Sequence, residues 1–175
     1  MYEYKVSVVK VVDGDTIDVD IDLGFGMVYK KQRVRMKGID TPESRTRDLV
    51  EKKFGKASKK HLKKLLESAD YISLVSHDKG KFGRILGDIF LHNADGHPVF
   101  GTKVLVNQQM IYDHHAVVYD GQSKDDIAKN HLRNREILIE KGEVVLDDWY
   151  HLVRLCLHRM YRINHRCIVS HWVSN

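Results

Sequence analysis

A small closed β-barrel with helices packed against it is the fold class this sequence predicts. Three observations lead there. Apolar residues alternate with period two in three runs between residues 4 and 36, a lysine-rich helical segment follows, and two more short strands precede a largely helical stretch. At 175 residues the chain is long enough for one well-packed domain and too short for two comfortable ones.

Residues 4–12 read as the first strand, with Val6, Val8 and Val9 near a period of two. Asp13-Gly14-Asp15 is a turn signal, and Ile17, Val19, Ile21 and Leu23 alternate over residues 16–23. Gly24-Phe25-Gly26 reverses the chain into a third strand over residues 27–36, so the three runs form an antiparallel meander. Thr41-Pro42 stops the sheet, because proline has no N–H to donate to a ladder. Leu62, Leu65, Leu66 and Ala69 then follow helical spacing, with Lys56, Lys59, Lys60 and Lys63 on another side. Residues 71–75 and 83–92 read as strands joined through Asp78-Lys79-Gly80, and Asn93-Ala94-Asp95-Gly96 as a tight turn. Val104, Leu105 and Ile111 give residues 102–112 a modest helical stripe. Ser123 with Asp126 marks the start of a last helix that stops after Lys141, at Gly142. Five strands and about three helices fit a barrel of the oligonucleotide-binding type over residues 1–146. Residues 147–175 form a C-terminal extension without an assigned structure.

Composition excludes some classes. Hydrophobic content of 42% and charged content of 30% are those of a soluble globular protein, and no apolar run approaches the length of a membrane span. The N-terminus alternates like a strand and does not look like a signal peptide. Cys156 and Cys167 are the only cysteines, so no disulfide framework supports the main body; a cytoplasmic monomer is the expectation. Of the net charge of +5, four arginines in residues 149–175 account for +4, which leaves +1 for the rest. Local patterning matters more. Seven lysines (52, 53, 56, 59, 60, 63 and 64) crowd into one segment, a face that suits a phosphate backbone or plain solvent.

The stretch Arg33 to Arg45 carries the chemistry. It packs basic residues, Asp40 on a turn and Glu43 three positions later into thirteen residues, with a second acidic turn upstream at Asp13-Gly14-Asp15-Thr16. Phosphodiester hydrolysis needs this combination: oxygen ligands for a hard cation, a carboxylate to take a proton from water, and guanidinium forks for phosphate. Asp15 and Asp40 sit at strand ends that a barrel can bring to one rim, where two carboxylates, a backbone carbonyl and waters suit Ca²⁺ or Mg²⁺ and not zinc. Taken singly, each residue has an ordinary explanation as a turn or cap. Arg35 is flanked by Val34 and Met36 on the opposite strand face, so it meets solvent, an acid or a phosphate.

Asp13-Gly14-Asp15-Thr16 after a first strand, then Arg35 followed by Asp40-Thr41-Pro42-Glu43, then Lys81-Phe82-Gly83-Arg84 some forty residues later, together resemble the staphylococcal nuclease family over about residues 4–140. The resemblance implies a calcium-dependent endonuclease acting on DNA, preferably single-stranded, and on RNA, with Mg²⁺ or Mn²⁺ as alternatives. It places the cation ligands on Asp15, Asp40 and the Thr41 carbonyl, water activation on Glu43, and the phosphate clamp on Arg35 and Arg84. It makes Asp13 a nearby acid that acts indirectly, and puts Lys81, Phe82 and Tyr119 beside the bound nucleotide. Phe82 stands where the family has a tyrosine, so stacking survives but a hydroxyl contact does not.

An inactive nucleic-acid-binding barrel is the alternative; a decayed site would lack at least one of Asp15, Arg35, Asp40, Glu43 and Arg84, and all five are present. Cys156, His158, His165 and Cys167 form a loose Cys-x-His…His-x-Cys pattern. On a helix, residues two apart point about 200° away from each other, so a zinc site is disfavoured against a basic helix or a docking segment.

Overall fold

The structure is a computed structural model that describes residues 2–80, 83–92 and 103–146. The chain divides into a compact unit ending at Val144 and a remainder beginning at Val145; the barrel and its helices belong to the first unit. The readings of the Cys/His tail, of Lys81 and Phe82, and of the turn at residues 93–96 lie outside the described residues.

Strands β1 (Tyr2–Asp13), β2 (Thr16–Gly24) and β3 (Met27–Met36) form the expected antiparallel meander, with Val6 opposite Ile21 and Ile17 opposite Val34. The β2–β3 hairpin turns on Phe25 and Gly26, both at positive φ, which a residue other than glycine adopts at some cost. After the two-residue β4 (Ile39–Asp40), Asp48 caps α1 (Leu49–Glu67) by accepting from the N–H groups of Val50 and Glu51 at 2.8 and 3.2 Å. The helix buries Phe54, Gly55, Ser58, Leu62 and Leu66.

Strands β5 (Tyr71–Lys79) and β6 (Ile85–His92) pair antiparallel, and β5 pairs with β1. The sheet order is β3-β2-β1-β5-β6, and β3 closes on β6 in parallel through Val34–Met36 against Ile85–Gly87. A closed five-stranded barrel with three helices is the result. A side chain at Gly87 would bring its Cβ to 2.4 Å from Leu74 Cδ1, so the glycine lets Leu74 fill the barrel interior. Val6, Ile17, Val19, Val34, Met36, Leu74 and Ile89 form that core with Leu62 and Leu66 from α1.

Two expectations change. The segment read as one helix from residue 102 instead pairs first as β7 (Lys103–Leu105) against β6, and α2 (Val106–Tyr112) follows. Phe90, Leu91 and His92 offer β6 edge groups, and pairing with them outweighs a weak helical stripe. The strand read as residues 71–75 runs on to Lys79, and its partner starts at Ile85. A second small sheet, β4 with β8 (Val117–Val118), was not legible. The last helix, α3 (Lys124–Glu140), has the expected capping box between Ser123 and Asp126, and Gly142 at φ 72° follows its end. No helix among the described residues is long and apolar enough to cross a membrane.

Candidate functional site

Two loops meet because two glycines let them. A Cβ on Gly14 would lie 2.9 Å from both Ser58 Cβ and Thr41 Oγ1, so the β1–β2 turn rests directly on Thr41 and α1. A Cβ on Gly55 would lie 2.5 Å from the carbonyl of Glu43 and the nitrogen of Ser44, so α1 seats the next loop against its backbone. Thr41 is buried and Glu43 exposed as a consequence. The carboxylate of Glu51, in the first turn of α1, also accepts from the Glu43 N–H at 3.4 Å, a long contact.

A cavity of about 210 Å³ opens on this junction, and Asp13, Asp15, Arg35, Thr41, Glu43 and Arg84 all line it. Residues that lie far apart in the sequence thus share one concave wall. Arg35 sits between the buried Val34 and Met36, so its guanidinium leaves the core on the other face of β3. There Nη1 pairs with Asp15 Oδ2, while Nη2 lies 3.2 Å from Asp40 Oδ1 and 3.2 Å from the Ile39 carbonyl. The other Asp15 oxygen accepts from Thr16 Oγ1 at 2.8 Å. Asp13 accepts from the Gly14 N–H at 3.0 Å and so shapes the turn.

Asp40 faces a second, adjoining cavity of about 330 Å³, and the Thr41–Glu43 segment walls both. Burial pushes the Asp40 carboxyl up, but hydrogen bonding from His131 and the charge of Arg35 outweigh it and hold the group below its ordinary value. His131 was missed as a site residue. It lies on α3 one turn beyond the buried Ile127, with Nε2 3.1 Å from Asp40 Oδ2; its place on the helix face that Ile127 buries was the available signal. Arg33 and Arg45 line the first cavity too, and Arg33 forks onto Asp18 at 2.7 and 3.0 Å. Tyr119 lines neither cavity; its N–H donates to the Gly38 carbonyl at 2.9 Å.

Asp15, Asp40 and the Thr41 carbonyl offer only oxygen atoms, a donor set that fits a hard divalent cation. The four arginines at residues 33, 35, 45 and 84 on the same cavity suit a phosphate.

The family model described as staphylococcal nuclease homologue matches residues 33–143. Thermonuclease of Staphylococcus hyicus is 31% identical over 103 residues, 58% of this chain and 55% of that protein. Thermonuclease of Staphylococcus intermedius is 33% identical over 96 residues, 54% of this chain and 51% of that protein. A probable staphylococcal-like nuclease of Oryza sativa subsp. japonica is 31% identical over 90 residues, which are 51% of this chain and 20% of that protein. The chain therefore spans from a fifth to a little over half of the length of these relatives.

Proposed function

From a chain that belongs to the staphylococcal nuclease family, we propose a metal-dependent endonuclease that hydrolyses phosphodiester bonds of DNA, preferably single-stranded, and of RNA, with Ca²⁺ as its cation. One observation carries this reading: the Arg35 guanidinium spans Asp15 and Asp40 on a cavity that Glu43 and Arg84 also line.

Glu43 is exposed to water and takes a proton from the attacking molecule, a contribution of about 10²–10⁴ in rate. The water oxygen bonds to phosphorus, the bond from phosphorus to a sugar oxygen breaks, and that oxygen leaves with a proton from solvent. Arg35 and Arg84 offer paired N–H donors to the phosphate oxygens and bind them more tightly as charge builds on them. A cation held by Asp15, Asp40 and the Thr41 carbonyl would neutralise the same phosphate. A barrel rim admits one strand and a stacked base but not an intact duplex, hence the single-strand preference.

Gel assays of single- and double-stranded DNA and of RNA, each with Ca²⁺, with Mg²⁺ and with chelator, test the proposal. Single-stranded DNA should be cut in Ca²⁺ and not under chelation. Full cleavage under chelation would remove the metal from the reading, and binding without cleavage in any cation would favour the inactive barrel.

A further inference from the structure

Apart from the residues that line the two cavities, three backbone devices converge on a second cluster of side chains. His61 flanks the buried stripe of α1, between Ser58 and Leu62. His115 follows α2, its own N–H donating to the Met110 carbonyl at 2.9 Å and its carbonyl accepting from Ser58 Oγ at 2.9 Å. Glu143 comes directly after Gly142, whose positive φ turns the chain back so that the Glu143 N–H reaches the Leu138 carbonyl at 3.0 Å. Potential ligand atoms of His61, His115 and Glu143 all lie within 4.8 Å of one another.

We propose that His61, His115 and Glu143 form a binding site for a borderline divalent cation of the Zn²⁺ class, separate from the oxygen-only site on the rim. Two imidazoles and one carboxylate are a donor set that such ions take, with a fourth position left to water. His115 Nε2 already stands 3.0 Å from Glu143 Oε2, close to the roughly 3.3 Å edge of a tetrahedron with bonds of about 2.0–2.1 Å. The two rings stack with centroids 4.1 Å apart, a contact that two imidazolium cations would resist.

One further feature points the same way. Asp113 Oδ2 lies 2.7 Å from His61 Nε2 and is itself held by Gln109 Nε2 at 3.0 Å, the outer carboxylate that orients a ligating histidine and fixes its tautomer. In the stack the two in-plane lone pairs run side by side, so ion binding turns the partly exposed His61 ring and swings Glu143 while the buried His115 stays in place. The ion would tie α1, the loop after α2 and the end of α3 together.

The test uses the full chain, stripped with chelator, dialysed and held in excess Ca²⁺ so that the oxygen site is occupied. Titration with Zn²⁺ should show one ion per chain and raise the melting temperature by about 5–10 °C at a hundredfold excess over Kd. Co²⁺ in its place should give the visible bands of a four-coordinate nitrogen and oxygen site without the near-ultraviolet thiolate band that Cys156 or Cys167 would add. Glu143→Gln alters an exposed side chain and should weaken binding at least tenfold with the metal-free melting temperature kept; His61→Gln should weaken binding alike. Equal binding by parent and both variants, a thiolate band, or no rise in melting temperature would overturn the site.

Discussion

His131 Nε2 on α3 stands 3.1 Å from Asp40 Oδ2 on β4, across ninety-one positions of sequence. Arg35 holds the other Asp40 oxygen, so the carboxylate is gripped from both sides and its orientation is fixed before any ligand arrives. His131→Ala should raise the Ca²⁺ concentration for half-maximal cleavage by roughly 10–100-fold, as loss of an outer partner does elsewhere. The rate at saturating Ca²⁺ should change little. An unchanged cation titration would reduce His131 to a packing residue.

Arg35 neutralises Asp15, which is 6% exposed. Removing one partner of a buried pair strands the other charge, so Arg35→Ala without divalent cation should cost about 3 kcal/mol in urea denaturation. Adding Ca²⁺ should restore part of that loss. Arg35→Lys returns the charge but not the planar fork, and should therefore recover stability more than cleavage.

Gly55→Ala places a methyl group within 2.5 Å of the Glu43–Ser44 peptide, where only backbone can yield. Overpacking of this kind costs about 1–3 kcal/mol, and here it displaces the loop that carries Thr41 and Glu43. Thermal melts and single-strand cleavage should fall together; a stable, fully active variant would contradict the close seating of α1.

The Asp18 carboxyl is held below its ordinary value first by the hydrogen bond from Arg33, against a burial that raises it. A depressed carboxyl contributes stability above the unfolded value of about 3.9 and loses it as pH falls through the folded one. Asp18→Asn should thus destabilise the protein by about 0.5 kcal/mol at neutral pH, since Arg33 is half exposed. Parent and variant should converge once the pH falls below the folded value of Asp18, which urea titrations at several pH values will show.

The local half of the fold was legible because it is written in periods. Val34 and Met36 announce a buried face, and Arg35 between them must point the other way. Ser123 and Asp126 likewise announce a helix start that the structure contains. Contacts between distant segments were not legible. Nothing in the residues around Val117 signals a two-residue pairing with Ile39 and Asp40, and three residues of β7 are too few to establish a period. Asn107 shows the same limit at a single position. Its Oδ1 accepts from the Ile89 N–H at 3.1 Å and its Nδ2 donates to the Lys37 carbonyl at 2.8 Å, which ties β6 to the end of β3. A lone asparagine at a helix start gives no hint of either.

The parallel seam between β3 and β6 is three residue pairs long, Val34 to Ile85 through Met36 to Gly87, and it is the shortest ladder in the barrel. The barrel can therefore unbutton there with the fewest bonds broken. Such breathing would draw Arg35 away from Arg84 while β1, β2 and β5 stay laced together, so the grip on a phosphate would slacken long before the molecule comes apart. Amide exchange at Lys37, whose N–H reaches the Gly87 carbonyl across the seam at 3.0 Å, is the place to watch for it, while the Met36 N–H, bonded to the Asp15 carbonyl at 2.8 Å, should stay protected.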